Sequence, residues 1–190
     1  MREPISLTYQ MPGELYGARA EDLKPFKDAG NDEVRQISRA AIRRFVEENS
    51  HYLTGRVLDF GAGKPGTCAV PQPYKEFVRG EYIPYDLGDV FPQVGAFDAI
   101  LCTQVLSYLE RYEERIQLFA GALAYGGALV MTYSVNWDEI ETEMWRFTKL
   151  GVARIVQRAG LSVLTHERLA EVIIDRAIHL PLVNGIVCRK

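Results

Sequence analysis

The sequence predicts an α/β protein: one doubly wound, mostly parallel sheet, with an antiparallel C-terminal strand and a shortened connection around its third strand. Three observations predict it. Short apolar runs alternate with stretches of helical periodicity, as in a parallel sheet covered on both faces. The first run ends in a glycine-rich loop, VLDFGAGKPG, at residues 57–66. The chain has 190 residues, 47% of them hydrophobic, which suits one buried core and one domain spanning 1–190.

Residues 1–30 mix Pro4, Pro12, Gly13, Gly17, Pro25 and Gly30 with aromatics and read as an arm with little regular structure, a possible lid over cofactor or substrate. From residue 32 to 50, Val34, Ile37, Ala41 and Phe45 step by three and four, which predicts an amphipathic helix capped near Asn31. Candidate strands follow at 56–60, 81–85, 97–102, 128–133, 161–165 and 185–188. Between the third and fourth, Tyr112, Ile116, Phe119 and Leu123 mark a helix. After the fourth, a helix opened by Thr148 and closed at Gly160 points Val152, Ile155, Val156 and Ala159 inward. Residues 169–180 fit helix or strand, and Pro181 and Gly185 bracket a turn before the last strand.

Composition narrows the partners. Lys and Arg number 22 against 25 Asp and Glu, without the basic footprint of a duplex binder, so no nucleic-acid partner is expected. Cys68, Cys102 and Cys188 form no CxxC pair, which argues against a zinc site, a redox motif or a disulfide framework. No metal is expected. No run resembles a signal peptide or is long enough to span a bilayer, so a cytoplasmic location without membrane contact is expected.

Within the loop, Gly61, Gly63 and Gly66 spell GxGxxG, a pattern that lets backbone approach a ligand closely. Asp59, two residues before Gly61, makes the ligand choice. A dinucleotide pyrophosphate would place like charges together, at a cost on the order of a few kcal/mol in a partly desolvated site. A ligand carrying an ammonium and a sulfonium turns the same interaction into attraction. Asp86 ends the second apolar run, where open α/β sheets place the acceptor for ribose hydroxyls.

The series VLDFGAGKPG, EYIPYDLGD, FDAILCTQVLSYL and ALAYGGALVMTYS resembles the ordered motifs of class I S-adenosylmethionine-dependent methyltransferases of the type 11 kind, over residues 53–133. The later MWRFTKLGVARIVQRAGLSVL extends it, similar to a branch associated with bacterial glycan and secondary-metabolite clusters. The resemblance implies a Rossmann-like fold and S-adenosyl-L-methionine as cofactor. It makes Asp59, Gly61 and Gly63 neighbours of the methionine moiety, Asp86 the ribose acceptor and Asp89 a neighbour of the adenine amine, with Lys64 and Leu87 also among the cofactor-binding residues. Thr103 and Gln104 fall in the switch-point crevice. Two departures stand out: Pro65 occupies the place of a usual glycine, with Gly66 one position later, and residues 86–97 are too few for a helix and a third strand. A sheet of about six strands is therefore expected, with residues 87–94 crossing as a loop or a very short edge strand near the adenine.

Methyl transfer from a sulfonium is an in-line displacement that asks the protein mainly to position the acceptor and exclude water. A general base is optional, and the sequence names no catalytic residue. His51, His166 and His179 lie outside the motifs and read as surface or packing residues. Asp138 and Glu143, after the fourth strand, are candidate bases, although solvated loop carboxylates are the plainer reading. Tyr108, Tyr133, Trp145 and Arg146 are candidate walls of an acceptor pocket. Tyr9, Tyr16 and Arg19 of the arm are candidate closing contacts by family analogy. The function expected is methyl transfer to an O or N atom of a small-molecule acceptor, with a sugar or glycan precursor as one candidate. The alternatives are a catalytically silent S-adenosylmethionine-binding regulatory or interaction module, and an NAD-dependent reductase, which Asp59 and the absence of a TyrxxxLys pair disfavour.

Overall fold

A computed structural model describes residues 5–9, 24–63, 72–87, 89, 91, 97–135, 147–174 and 178–190. These form β1 (Ile5–Tyr9), α1 (Lys24–Glu48), β2 (Thr54–Phe60), β3 (Arg79–Tyr85), β4 (Phe97–Thr103), α2 (Tyr112–Ala122), β5 (Leu123–Ser134), α3 (Lys149–Arg158), β6 (Ser162–Ile174) and β7 (Ile178–Arg189). Among the described residues they make one seven-stranded sheet in the order β1-β6-β7-β5-β4-β2-β3. Pairing is parallel throughout except where β7 runs against β5 and β6.

Alternate side chains of the central strands feed two cores. Val57, Ala99, Leu101, Val130 and Val187 pack under Ala41, Ile42, Phe45 and Val46 of α1. Leu58, Phe60, Ile100, Cys102, Leu129 and Met131 pack under Ile116, Phe119 and Ala120 of α2 and Val152 and Val156 of α3. The period of two in the strands, set against the period near 3.6 in the helices, is what makes three layers. α3 begins as its sequence says: the Thr148 hydroxyl accepts from the Gly151 amide at 3.0 Å.

Several elements run past their expected limits. Ile5–Tyr9 is a strand within the expected irregular arm, paired with residues 170–174 of β6, and it is the seventh strand where about six were expected. α1 starts at Lys24, so Asn31 is an interior residue and not a cap. β5 starts at Leu123, because Gly126 and Gly127 exchange backbone hydrogen bonds with Lys190 at 3.0 Å each. Residues 169–174 extend β6, and β7 runs unbroken through Pro181 and Gly185. Gly185 is there for packing rather than for a turn: a Cβ on it would sit 2.7 Å from the Phe45 ring.

The shortened connection after β3 leaves that strand at the sheet's edge among the described residues. Arg79 donates to Leu53 O and Gly61 donates to Tyr85 O, so by alternation the odd-numbered residues of β3 bond β2 while Gly80, Tyr82 and Pro84 turn outward. Pro84 is tolerated because its missing N–H falls on the open side. Within the connection, Leu87, Asp89 and Phe91 belong to neither helix nor strand. Phe91 instead inserts its ring beside Tyr85 at 5.7 Å, Phe60 at 6.3 Å and Phe119 at 6.4 Å between centroids, which ties this part of the connection to α2.

Candidate functional site

The C-terminal ends of β2, β3, β4 and β5 carry most of the described residues that the sequence singled out. Chain direction explains this: parallel strands deliver their carboxyl ends, and the loops that follow, to one edge. The glycine loop leaves β2 with Gly61 at φ 86° and Gly63 at φ 71°. The Gly61 and Ala62 amides both donate to Tyr85 O, at 2.8 and 3.1 Å, which folds the loop across the tip of β3. A Cβ on Gly61 would lie 2.3 Å from Val105 Cγ2, so glycine is required there by both dihedral and space.

Asp59 precedes this loop and is buried, with 1% exposure. The Tyr82 hydroxyl donates to its Oδ2 at 2.6 Å. Burial raises its pKa to about 6, against the lowering influence of the Tyr82 bond. No cation pairs with it among the described residues, and its charge is felt by Tyr74, Tyr82 and Cys102, whose protonated forms it favours. Tyr74 is bonded to the Thr103 side chain and is pushed up to about 12, chiefly by burial. The sequence placed Asp59 at a partly desolvated edge facing a ligand. The structure sets it deeper, so it presents a field more than a surface.

At the tip of β3, Asp86 and Asp89 close a tight turn. Asp89 N donates to Asp86 O at 2.9 Å, Leu87 N to Asp86 Oδ1 at 2.8 Å, and Asp86 N to Asp89 Oδ2 at 3.2 Å. The Tyr85 hydroxyl donates to Asp89 O at 2.6 Å. Asp89 thus stands beside Asp86 and shapes its backbone, while Leu87 leaves an apolar side chain 44% exposed next to them.

At the tip of β4, Gln104 adopts φ 56°, a left-handed conformation that costs a non-glycine residue roughly 1–2 kcal/mol. Its backbone amide donates to Thr132 O at 3.0 Å, and the Ser134 hydroxyl donates to its Oε1 at 2.6 Å. The Gln104 side-chain Nε2 also donates to Thr132 Oγ1 at 3.4 Å. Thr103, Gln104, Thr132 and Ser134 therefore form a polar ledge across the ends of β4 and β5.

Of the expected acceptor wall, Tyr108 and Tyr133 lie among the described residues. Tyr108 follows β4 and is 40% exposed. Tyr133 is fully buried, packed against Phe147, and does not face an open pocket. Its hydroxyl bonds His166 Nε2 at 2.6 Å and accepts from Asn184 Nδ2 at 3.3 Å, so His166 has a polar partner that its sequence position did not announce. Lys64, Asp138, Glu143, Trp145 and Arg146, with Tyr16, Arg19, Pro65 and Gly66, lie outside the described residues. Sequence reasoning missed Tyr74, Tyr82, Thr132, Ser134 and Asn184. The available signal was the alternation of YIPYD, which turns Tyr82 and Pro84 to one edge and leaves their register with β2 open.

The donor set fits a cofactor with a cationic amino-acid end and a ribose. A buried carboxylate with no cation partner among the described residues precedes a glycine loop, a second carboxylate tips the neighbouring strand, and an exposed leucine lies beside it. No group of three or more His, Cys, Asp or Glu side chains that could hold a metal occurs among the described residues. No helix among them is long and apolar enough to cross a membrane.

No protein-family model matches the sequence, and no curated protein matches it. Solved structures do match. A putative S-adenosylmethionine-dependent methyltransferase from Listeria monocytogenes superposes with a TM-score of 0.56 at 12% identity, covering 80% of this chain and 99% of that one. The 1,6-didemethyltoxoflavin-N1-methyltransferase of Burkholderia thailandensis, solved with 1,6-didemethyltoxoflavin and S-adenosylhomocysteine, superposes with 0.55 at 14%, covering 94% and 93%. A methyltransferase from Mesorhizobium loti gives 0.54 at 14%, covering 73% and 93%. At such identities the likeness is one of fold. The chain has the Rossmann-like fold of class I S-adenosylmethionine-dependent methyltransferases.

Proposed function

We propose that the chain is an S-adenosylmethionine-dependent methyltransferase that methylates an O or N atom of a small-molecule acceptor, with sugars and glycan precursors the first class to test. The observation that carries the reading is Asp59, a buried carboxylate without a cation partner among the described residues, directly before a loop whose Gly61 and Gly63 sit at positive φ. A pyrophosphate brought to that loop would meet a negative charge in a medium that screens it weakly; an ammonium would be attracted. When bound, the cofactor supplies an electrophilic methyl group on a sulfonium.

The protein's own contribution is placement. Gly61 and Gly63 let the backbone approach the amino-acid end, and the Asp59 charge favours its ammonium. Asp86 accepts from ribose hydroxyls, with Leu87 as an apolar flank for the adenine and Asp89 fixing the turn that presents both. Lys64, next in the loop, completes the set that the family resemblance implies. Thr103 and Gln104 line the crevice, and the strained Gln104 backbone, held by Thr132 and Ser134, fixes the edge along which an acceptor must arrive. Tyr108, with Trp145 and Arg146, would shape the acceptor pocket.

Two measurements test the reading. Calorimetry should find S-adenosylmethionine bound and NADH not bound. Radiolabelled S-adenosylmethionine, incubated with fractionated small-molecule extracts, should release S-adenosylhomocysteine and label an acceptor. Binding without turnover in any fraction would leave a silent binding module and refute the enzymatic proposal; binding of NADH alone would refute both.

A further inference from the structure

At the opposite end of the parallel strands from the glycine loop lies a cleft of about 250 Å³, walled by His51, Tyr52, Thr54, Asp98, Tyr125 and Arg189. A bulge opens it. Phe97 pairs with Leu123 and Ala99 with Ala128, so residues 124–127 of β5 stand against Asp98 alone. Backbone bonds hold the bulge out: Gly126 N donates to Lys190 O, and Lys190 N donates to Gly127 O, at 3.0 Å each. Thr54 begins β2 and Asp59 lies near its end, which separates the cleft from the buried carboxylate by roughly 16 Å along the strand. It is no part of the candidate cofactor site.

Two opposite charges line this cleft and are not paired with each other. Asp98 Oδ2 accepts from Arg56 N at 2.7 Å, and it fits there because Gly55 has no side chain, a Cβ on which would lie 2.2 Å from that oxygen. The carboxylate is thereby fixed, with its Oδ1 left without a partner among the described residues. The Arg189 guanidinium lies 5.7 Å from the Tyr52 ring centroid, and no ion pair among the described residues includes it. Neighbouring cations are engaged elsewhere, Arg56 Nε with Glu81 at 3.0 Å and Lys190 Nζ with the Gly121 and Leu123 carbonyls at 3.4 and 2.7 Å.

Rings make up much of the remaining wall. His51 and Tyr52 have centroids 4.0 Å apart, and Tyr125 is 97% exposed, so its phenol face is open to a ligand. The planar fork of Arg189 suits a carboxylate, and Asp98 suits an ammonium. A phosphate dianion would also suit Arg189, but Asp98 repels it. A cavity of ~150 Å³ admits a benzene ring, so this cleft has room for a ring on a short charged chain. We propose that it binds a free aromatic α-amino acid, with the carboxylate on Arg189, the ammonium on Asp98 and the ring against Tyr125. The site is independent of the methyl-transfer reading.

The test is a nuclear magnetic resonance titration of the full chain with ring-labelled histidine, read at His51, whose Nδ1 must donate to Glu48 O at 3.2 Å because a carbonyl only accepts. The probes are L-phenylalanine, L-tyrosine and L-tryptophan, set against L-alanine, L-phenylalaninamide and N-acetyl-L-phenylalanine. At least one aromatic amino acid should shift the His51 signal saturably, leave His166 unmoved and bind equally well with S-adenosylhomocysteine present. Alanine, the amide and the N-acetyl form each lack the ring or one charge and should bind more weakly by roughly tenfold or more. Arg189→Gln and Asp98→Asn should weaken the aromatic amino acid by a similar factor, the asparagine oxygen still accepting from Arg56 N. Tyr125→Ala should weaken phenylalanine and leave alanine unchanged. All three variants should keep S-adenosylhomocysteine affinity within about twofold of wild type, since the two sites are far apart. A His51 signal silent to all three aromatic amino acids, an equal response to the amide and N-acetyl forms, or displacement by S-adenosylhomocysteine overturns the proposal. The derivatives act on the unaltered chain, so they decide it even where Asp98→Asn does not fold. If S-adenosylhomocysteine does not bind at all while the His51 response is intact, the methyl-transfer reading falls and the amino-acid site stands.

Discussion

The Tyr82 hydroxyl reaches across from β3 to donate to Asp59 Oδ2 on β2 at 2.6 Å, and it holds the buried carboxylate toward its charged form. Tyr82→Phe removes that support, so the Asp59 pKa, already about 6, moves up through neutrality. Hydrogen bonds to charged groups contribute about 1.5–3 kcal/mol. S-adenosylmethionine affinity at pH 7 should fall by roughly tenfold and recover by pH 8.5, as calorimetry across pH would record. A loss of affinity independent of pH would mean that Tyr82 acts by shape alone.

Asp59 also sets a trade between stability and binding. Its pKa rises from 3.8 to about 6 on folding, so the folded chain holds the proton more tightly than the unfolded chain does. That stabilisation is fully present below pH 3.8 and is lost as pH rises through 6, by about 3 kcal/mol in all. Asp59→Asn should therefore raise the melting temperature above pH 7 and match wild type near pH 4, while S-adenosylmethionine binding weakens. Thermal melts at the two pH values decide it; a variant less stable at both would show that the charge is not what burial penalises.

Asp86→Ala should weaken S-adenosylmethionine and S-adenosylhomocysteine by about tenfold each, because the two present the same ribose hydroxyls to one carboxylate. Competition calorimetry gives both constants. An effect on one ligand only would move Asp86 away from the ribose.

Gly61→Ala places a methyl 2.3 Å from Val105 Cγ2 at a backbone φ of 86°. The combined strain should cost on the order of 2–4 kcal/mol of stability. Adding Val105→Ala should return the steric part and leave the dihedral part, of about 1 kcal/mol. Denaturant unfolding of the single and double variants separates the two, and a double variant as damaged as the single one would place the whole cost in the backbone.

Local chemistry was legible in the sequence wherever it was self-contained. Thr148 and Gly160 bracket α3 because a cap and a stop act within a turn of themselves. The glycine loop and the carboxylates at 59 and 86 were legible for the same reason. Pairing over distance was not. Ile5–Tyr9 is a strand only because residues 170–174 supply its partner, and those residues satisfy helix and strand patterns equally until that partner is present. Tyr133 looked like a pocket wall because an aromatic at a strand end suits either surface or core. Its burial came from Phe147, ahead of α3, which no pattern at 133 encodes. Asp59 was found by its charge, whereas its depth came from Tyr74 and Tyr82, which arrive on another part of the chain.

The pairing of Ile5 with Ala170 also sets an order of events during synthesis. β1 leaves the ribosome well before its partner in β6, so it must wait while some 165 further residues are added, roughly 10–30 seconds at ordinary elongation rates. Throughout that interval β2 to β5 can assemble around α1 and α2 without it. β1 is thus a late clasp, and a nascent chain arrested before residue 170 should carry it open to protease while its central strands are already protected.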